Sequence, residues 1–148
     1  MFMGEPPRRV VTGLDEQGRS CILFDGPSEV VVWQTKSHPV DNGGKADRGG
    51  PDFAFPSGDG HTTFIVFDFP PDEELYGPGM HATDTIDYIV VMSGEVTLVT
   101  ETGECLLRAG DVAVDRGIVH GWRNDSGKPT RMGIAFITAQ LVGTGATA

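Results

Sequence analysis

The sequence predicts an all-β fold, a sandwich or small barrel in a single domain. Three observations carry this. Short runs rich in Val, Ile, Phe and Thr recur along the chain, turn signals fall about every ten residues, and no segment of helical length shows a clean 3.6-residue period. Together these are the signature of many short strands joined by tight turns.

The strand candidates are residues 9–12, 20–24, 30–35, 62–69, 87–92, 96–100, 105–108, 112–115, 120–123 and 131–138. β-branched and aromatic side chains suit a pleated, half-buried surface, which is why these runs are read as strands. Between them lie DEQG, DGPS, MSGE, ETGE, RAGD and NDSGKP, whose Gly, Asp and Asn residues supply turn geometry. Gly94, Gly110 and Gly117 are assigned to such turns. Residues 1–148 are then one domain: N-terminal strands over 8–36, a long loop over 37–60, a barrel core over 62–139, and a tail over 143–148 expected to fray. The Gly-, Pro- and Asp-rich loop has little to bury except Phe53 and Phe55. It reads either as a mobile insertion or as an arm packing those rings over a pocket or onto a partner subunit.

Composition narrows the function classes. Hydrophobic residues at 39% and charged residues at 22% describe an ordinary globular chain. Eleven Lys and Arg against 21 Asp and Glu give a formal charge of −10, which repels phosphate backbones and argues against nucleic-acid binding. No apolar run approaches the roughly 20 residues that span a bilayer, and MFMGEPPRRV lacks the pattern of a secretory signal. Cys21 and Cys105 lie in apolar strand-like segments and are expected to be reduced, inert and buried, which fits the cytoplasm.

The chemistry concentrates between Met80 and Asn124. Alternate residues of a strand face one side, so His81, Thr83, Thr85 and Asp87 share a parity that Ile89 and Val91 continue. His120, Trp122 and Asn124 share a face on a later strand. If the two strands are neighbours in one small barrel, His81, Asp87 and His120 converge on its interior. Two imidazoles and a carboxylate there would serve as an acid/base pocket, as ligands for a metal, or as a satisfied polar network with no catalytic duty. Trp122 is a candidate to stack on a planar ligand or to fill the core, and Tyr88 is a second aromatic near the site. Arg116 is a candidate carboxylate binder, or a rim residue pairing with Asp111 or Asp115. Met80 and Met132 are expected to fill gaps, His38 and His61 to lie at the surface, and Asn124 to cap a turn.

These residues resemble the two motifs of the cupin superfamily. His81, Thr83, Asp87 and Gly94 fall at the H, H, E and G positions of the first motif, G-x5-H-x-H-x3–4-E-x6-G. Gly110, Gly117, His120 and Asn124 follow the second, with Arg116 just before Gly117 in the stretch where cupins often carry proline. The resemblance implies a double-stranded β-helix, or jelly roll, of the small single-domain cupin kind. It also implies a metal site in which Thr83 replaces the second histidine and Asp87 the usual glutamate. The remaining set, His81, Asp87 and His120, suits a divalent transition metal such as Fe, Zn, Mn or Ni, with a metal-free pocket as the alternative.

Two functional classes follow. One is an enzyme of a small carboxylated or hydroxylated, aromatic or polyketide-like metabolite: a lyase (decarboxylase or dehydratase) or isomerase, or else an Fe(II)-dependent dioxygenase. Its catalytic residues are Asp87, His120 and His81, with Thr83, Arg116 and Trp122 binding substrate. The other is a ligand-binding or sensor module without turnover. The resemblance further implies a homodimer, for which strand runs such as EVVVWQTK offer an edge.

Overall fold

A computed structural model gives the fold; it describes residues 1–71, 74–75, 80–143 and 145–147. Eleven strands are formed among them. They are β1 (Arg8–Leu14), β2 (Ser20–Pro27), β3 (Val31–Thr35), β4 (Thr62–Phe69), β5 (Glu74–Leu75), β6 (Thr85–Ser93), β7 (Glu95–Thr100), β8 (Glu104–Arg108), β9 (Val112–Asp115), β10 (His120–Arg123) and β11 (Thr130–Thr138). All ten expected runs form strands. The addition is β5, whose two residues are too short to show any periodicity.

A five-stranded sheet has the order β3-β4-β11-β6-β9, a four-stranded sheet the order β5-β10-β7-β8, and β1-β2 form a separate hairpin. Every pairing is antiparallel. The two larger sheets form the jelly roll, and their apolar faces make one core that includes Val31, Phe69, Val91, Val96, Met132 and Phe136. Burial of these side chains is the main favourable term in folding. In β6 the alternation is clean: Thr85, Asp87, Ile89 and Val91 are buried, while Tyr88, Val90 and Met92 are exposed. Tyr88 therefore points away from the site expected to hold it.

Two glycines set the geometry around the core. Gly94, at φ +78°, turns β6 into β7 where a Cβ would lie 2.8 Å from the Pro129 carbonyl oxygen. Gly117, at φ +74°, lets the β9–β10 turn sit against β6: a Cβ there would lie 2.9 Å from the Thr83 oxygen and 3.1 Å from that of Thr85. Asn124 caps its turn as expected. Its Oδ1 accepts from the Ser126 amide at 3.0 Å, and its Nδ2 donates to the Lys128 carbonyl at 2.8 Å and back to Pro70 at 3.1 Å.

Two expectations are corrected. Cys105 is exposed, because only Leu107 of edge strand β8 turns into the core; both cysteines are free thiols. The tail is tied down rather than frayed. The Ala146 amide donates to Asp84 at 2.9 Å, and Thr147 exchanges two 2.8 Å bonds with Ala82. Thr144 and Ala148 lie outside the described residues. Of the two forms expected for the loop over 37–60, the structure has the arm, which packs inward. Phe53 and Phe55 meet edge to face at 5.0 Å, and each lies 5.3 Å from Phe136 on β11. No helix of the described residues is long and apolar enough to cross a membrane.

Candidate active site

Between the sheets lies a cavity of about 220 Å³. Phe53, Phe55, Phe136, Ile89 and Trp122 contribute to its apolar wall, and His81, Asp87 and His120 supply its polar groups. This volume is below the roughly 300–1,000 Å³ of common ligand pockets and suits a ligand of one ring or similar size. The strand parity thus brings the expected trio to one chamber.

His81 precedes β6 and is held by a backbone bridge to His120. Each amide donates to the other's carbonyl at 2.9 Å, which sets the two rings side by side with centroids 4.5 Å apart. His120 opens β10, and its Nδ1 lies 2.7 Å from Asp115 Oδ2 and 2.8 Å from the Ile118 carbonyl oxygen. That occupies Nδ1 and leaves Nε2 as the ring nitrogen available for chemistry. The tautomer follows from these partners, since hydrogen positions are inferred. Asp115 ends β9 and is itself fixed: its Oδ1 accepts from the Gly117 amide at 3.0 Å and from Ile118 at 3.2 Å. Asp87, mid-strand in β6, accepts from the Thr85 hydroxyl at 2.6 Å, and that hydroxyl lies 2.8 Å from the hydroxyl of Thr83.

The environment splits the three titrating groups. Burial pushes the Asp87 carboxyl up to about 6, with the nearby negative charge of Asp115 adding to it against the Thr85 hydrogen bond. Burial, together with the positive charge of His120, lowers His81 to about 4. Burial also pulls His120 down, but the hydrogen bond to Asp115 and the neighbouring carboxylates outweigh it, leaving its pKa above that of an ordinary histidine. At neutral pH the chamber therefore holds a neutral His81, a mostly ionised Asp87 and a His120 with increased proton occupancy.

The other candidates are placed differently. Trp122 is 5% exposed, lines the cavity and meets His120 edge on at 6.1 Å. Thr83 is buried, but it faces a separate pocket beside Asp84 and Thr138, with its hydroxyl committed to Thr85. Arg116 is exposed in the β9–β10 turn and is not among the cavity's lining residues, because the turn that seats Asp115 inward sends the next side chain outward. Of the three proposed substrate contacts, only Trp122 reaches the chamber. Asp115, expected only as a partner for Arg116, instead faces His120. The D-x-G signature of a side-chain-capped turn was the available signal for its inward role. The contributions of Phe53, Phe55 and Met1 to the cavity come from tertiary packing.

Among the described residues, no group of three or more His, Cys, Asp or Glu side chains is gathered so as to hold an ion. The donors are not gathered around one point, so the arrangement does not fit a three-ligand centre, and no step below passes through one.

Comparison with known proteins agrees with the fold. The family model described as "Cupin domain" matches residues 65–137. "Phomopsin biosynthesis cluster protein C'" of Diaporthe leptostromiformis is 33% identical over 141 residues, spanning 81% of this chain and 71% of that protein. "Cupin-domain-containing oxidoreductase srdD" of Neurospora crassa is 30% identical over 143 residues, spanning 84% and 70%. Among solved structures, a cupin superfamily protein from Desulfitobacterium hafniense aligns over 58% of this chain and 74% of its own, at 14% identity and a TM-score of 0.47. With the motif residues His81, Asp87 and His120 gathered in a jelly-roll cavity and relatives of this identity along most of its length, the chain belongs to the cupin superfamily.

Proposed function

We propose that the protein is a small-molecule enzyme that moves protons on a largely apolar, carboxylated or hydroxylated metabolite of aromatic or polyketide-like character, as a lyase or isomerase. The observation that carries this reading is the meeting in one chamber of two groups whose pKa values are both raised, Asp87 to about 6 and His120 above the ordinary histidine value. A carboxylate that is mostly ionised at neutral pH beside an imidazole that holds its proton more strongly supplies a base and an acid. Asp87, mostly ionised at neutral pH, takes a proton from carbon. His120, oriented through Asp115, delivers one from Nε2.

In a dehydration, Asp87 removes the proton next to an activating carbonyl. His120 protonates the departing hydroxyl, and water leaves. In an isomerisation, the proton taken by Asp87 is replaced at a second carbon by His120. In a decarboxylation, carbon dioxide departs and His120 protonates the carbon left behind. The Phe53, Phe55 and Phe136 rings hold the apolar body of the substrate and exclude water from the polar end. Relatives named as members of phomopsin and oryzines biosynthesis clusters support a substrate from specialised metabolism.

A second reading is oxidation, because relatives from Neurospora crassa and Hypocrea virens are named cupin-domain-containing oxidoreductases. The deciding experiment screens aromatic and polyketide-like hydroxy acids with the wild type, Asp87→Asn and His120→Gln. Turnover without oxygen uptake, reduced at least about 100-fold in either folded variant, is expected. Unchanged turnover in both variants, or strict dependence on oxygen, overturns the proton-transfer reading. Binding without any turnover selects the sensor class instead.

A further inference from the structure

A chain of hydroxyl groups leads from Asp87 out of the chamber and into a second pocket. Thr83, Thr85 and Asp87 share one strand parity, so their oxygens follow one another along the same side of the segment that enters β6. The Thr85 hydroxyl donates to Asp87 Oδ1 at 2.6 Å and lies 2.8 Å from the Thr83 hydroxyl. Thr83, Thr85 and Asp87 are only 4%, 2% and 4% exposed. At the inner end Asp87 lines the apolar chamber. At the outer end both threonines line a separate pocket of about 330 Å³, together with the exposed Ser57, Asp59 and Asp84. Phe55 is a wall common to the two spaces.

The direction of the chain follows from counting hydrogens. A hydroxyl has one hydrogen to give. Thr85 spends its hydrogen on Asp87, so Thr83 is the donor to Thr85, and the Thr83 oxygen keeps its lone pairs for a donor in the outer pocket. Every link therefore points toward Asp87. In the proposed dehydration Asp87 ends the cycle holding the substrate's proton, among walls of Phe53, Phe55, Phe136 and Trp122 that exclude water. The next cycle requires that proton to leave.

From this we infer that the Thr83–Thr85 hydroxyl chain is the path by which Asp87 exchanges its proton with water in the outer pocket. Its use in turnover rests on Asp87 being the base of the proposed reaction. On discharge, the Asp87 O–H bond breaks as one forms to Thr85 Oγ1. Thr85 passes its own hydrogen to Thr83, and Thr83 passes its hydrogen to a water molecule. Each O–H bond broken is matched by one formed, and nothing is oxidised or reduced. The Thr85 hydrogen finishes on the side facing Asp87, which is the arrangement the structure shows. Asp59 and Asp84 offer carboxylates at the outer pocket to take the proton onward. Neither threonine is a catalytic residue, because both act through Asp87.

The test needs no substrate. A photoreleased proton takes the full chain from about pH 7 to about pH 5, across the range in which Asp87 titrates. Time-resolved infrared then follows the protonated carboxyl band that Asp87→Asn lacks, as the proton travels inward along the same path. Thr83→Val keeps the side chain's shape without its hydroxyl and is expected to slow this protonation at least about 10-fold. Thr83 does not bond Asp87, so the midpoint of the equilibrium titration should stay in place, which separates a lost path from a displaced carboxyl. Thr83→Ser restores the hydroxyl and should return the rate to within about 3-fold of the wild type. Thr85→Val breaks the inner link and serves should Thr83→Val fail to fold; it should slow protonation as much. Wild-type rates in every folded valine variant, or a serine variant as slow as the valine one, overturn the inference and leave the proton-transfer chemistry standing. Strict oxygen dependence of turnover would overturn that chemistry and leave the relay standing.

Discussion

His120 Nδ1 and Asp115 Oδ2 lie 2.7 Å apart, with side chains only 3% and 1% exposed. A carboxylate this buried is costly unless fully paired, and the Gly117 and Ile118 amides supply the remaining partners at Oδ1. The pair orients the imidazole and keeps a proton on Nδ1. Together with the Ile118 carbonyl at 2.8 Å, it links the β9–β10 turn directly to the chemistry.

Asp115→Asn should therefore lower the His120 pKa, because it removes the hydrogen bond and the charge that raise it. Long-range nitrogen–proton NMR of the two buried histidines reads this directly. Turnover should fall by at least about 10-fold through loss of imidazole orientation. A His120 titration unchanged in the folded variant would refute the role given to Asp115.

Asp87 makes a prediction about stability with a definite sign. Its folded pKa, about 6 against 3.8, lies above the unfolded value, so its contribution to stability is present below pH 4 and lost as pH rises through 6. That loss corresponds to about 3 kcal/mol. Asp87→Asn should be more stable than the wild type at pH 8 by an amount of this order, with the advantage gone at pH 4. Urea titrations at the two pH values check it, and an equal difference at both would contradict the buried-charge account.

At acid pH the arginine–carboxylate pairs give the opposite sign. The Arg9 guanidinium holds Asp47 down to about 2, so that pair's contribution is present above pH 4 and lost as pH falls through 2. Asp68 is also held below its ordinary value, with the Arg131 and Met3 hydrogen bonds prevailing over burial. Asp68→Ala would strand Arg131 and release the first residues, which are tied through the Met3 amide at 2.7 Å and the Glu5 carbonyl at 2.8 Å. A loss of about 2–4 kcal/mol is expected. Ligand should also exchange faster, because Met1 lines the cavity. Thermal unfolding and stopped-flow binding measure the two effects.

The aromatic arm should set affinity rather than chemistry. Phe55→Ala removes a cavity wall and its edge-to-face contacts with Phe53 and Phe136. It should raise KM about 10-fold with little change in kcat. A selective loss of kcat would show that the arm takes part in the reaction.

Treatment with a chelator followed by elemental analysis checks the donor geometry. Less than about one metal per ten chains, with turnover intact, is expected from side chains that do not gather around an ion. A stoichiometric metal whose removal abolishes turnover would replace proton transfer with metal-assisted chemistry.

The strands and the inward face of β6 were legible because a two-residue period is a local property. Ile89 and Val91 declare which parity is buried, and Asp87 is carried inward with them. The β6 continuation that sent Asp87 inward also sends Tyr88 outward, which an expectation based on nearness in sequence misses. Arg116 shows the same limit within a turn, where alternation no longer applies and one residue separates a buried carboxylate from an exposed guanidinium.

By itself the sequence determined the all-β architecture, the positions of the strands along the chain and the shared parity that carries Asp87 inward. It did so because alternation, turn chemistry and motif spacing are written in neighbouring residues. Only the tertiary structure decided that Asp115 holds His120, that Phe53 and Phe55 close against Phe136, and that Thr83 serves Thr85 rather than the cavity. Those contacts depend on how separate strands and loops pack in three dimensions, and packing between distant segments leaves no periodic trace in a single chain.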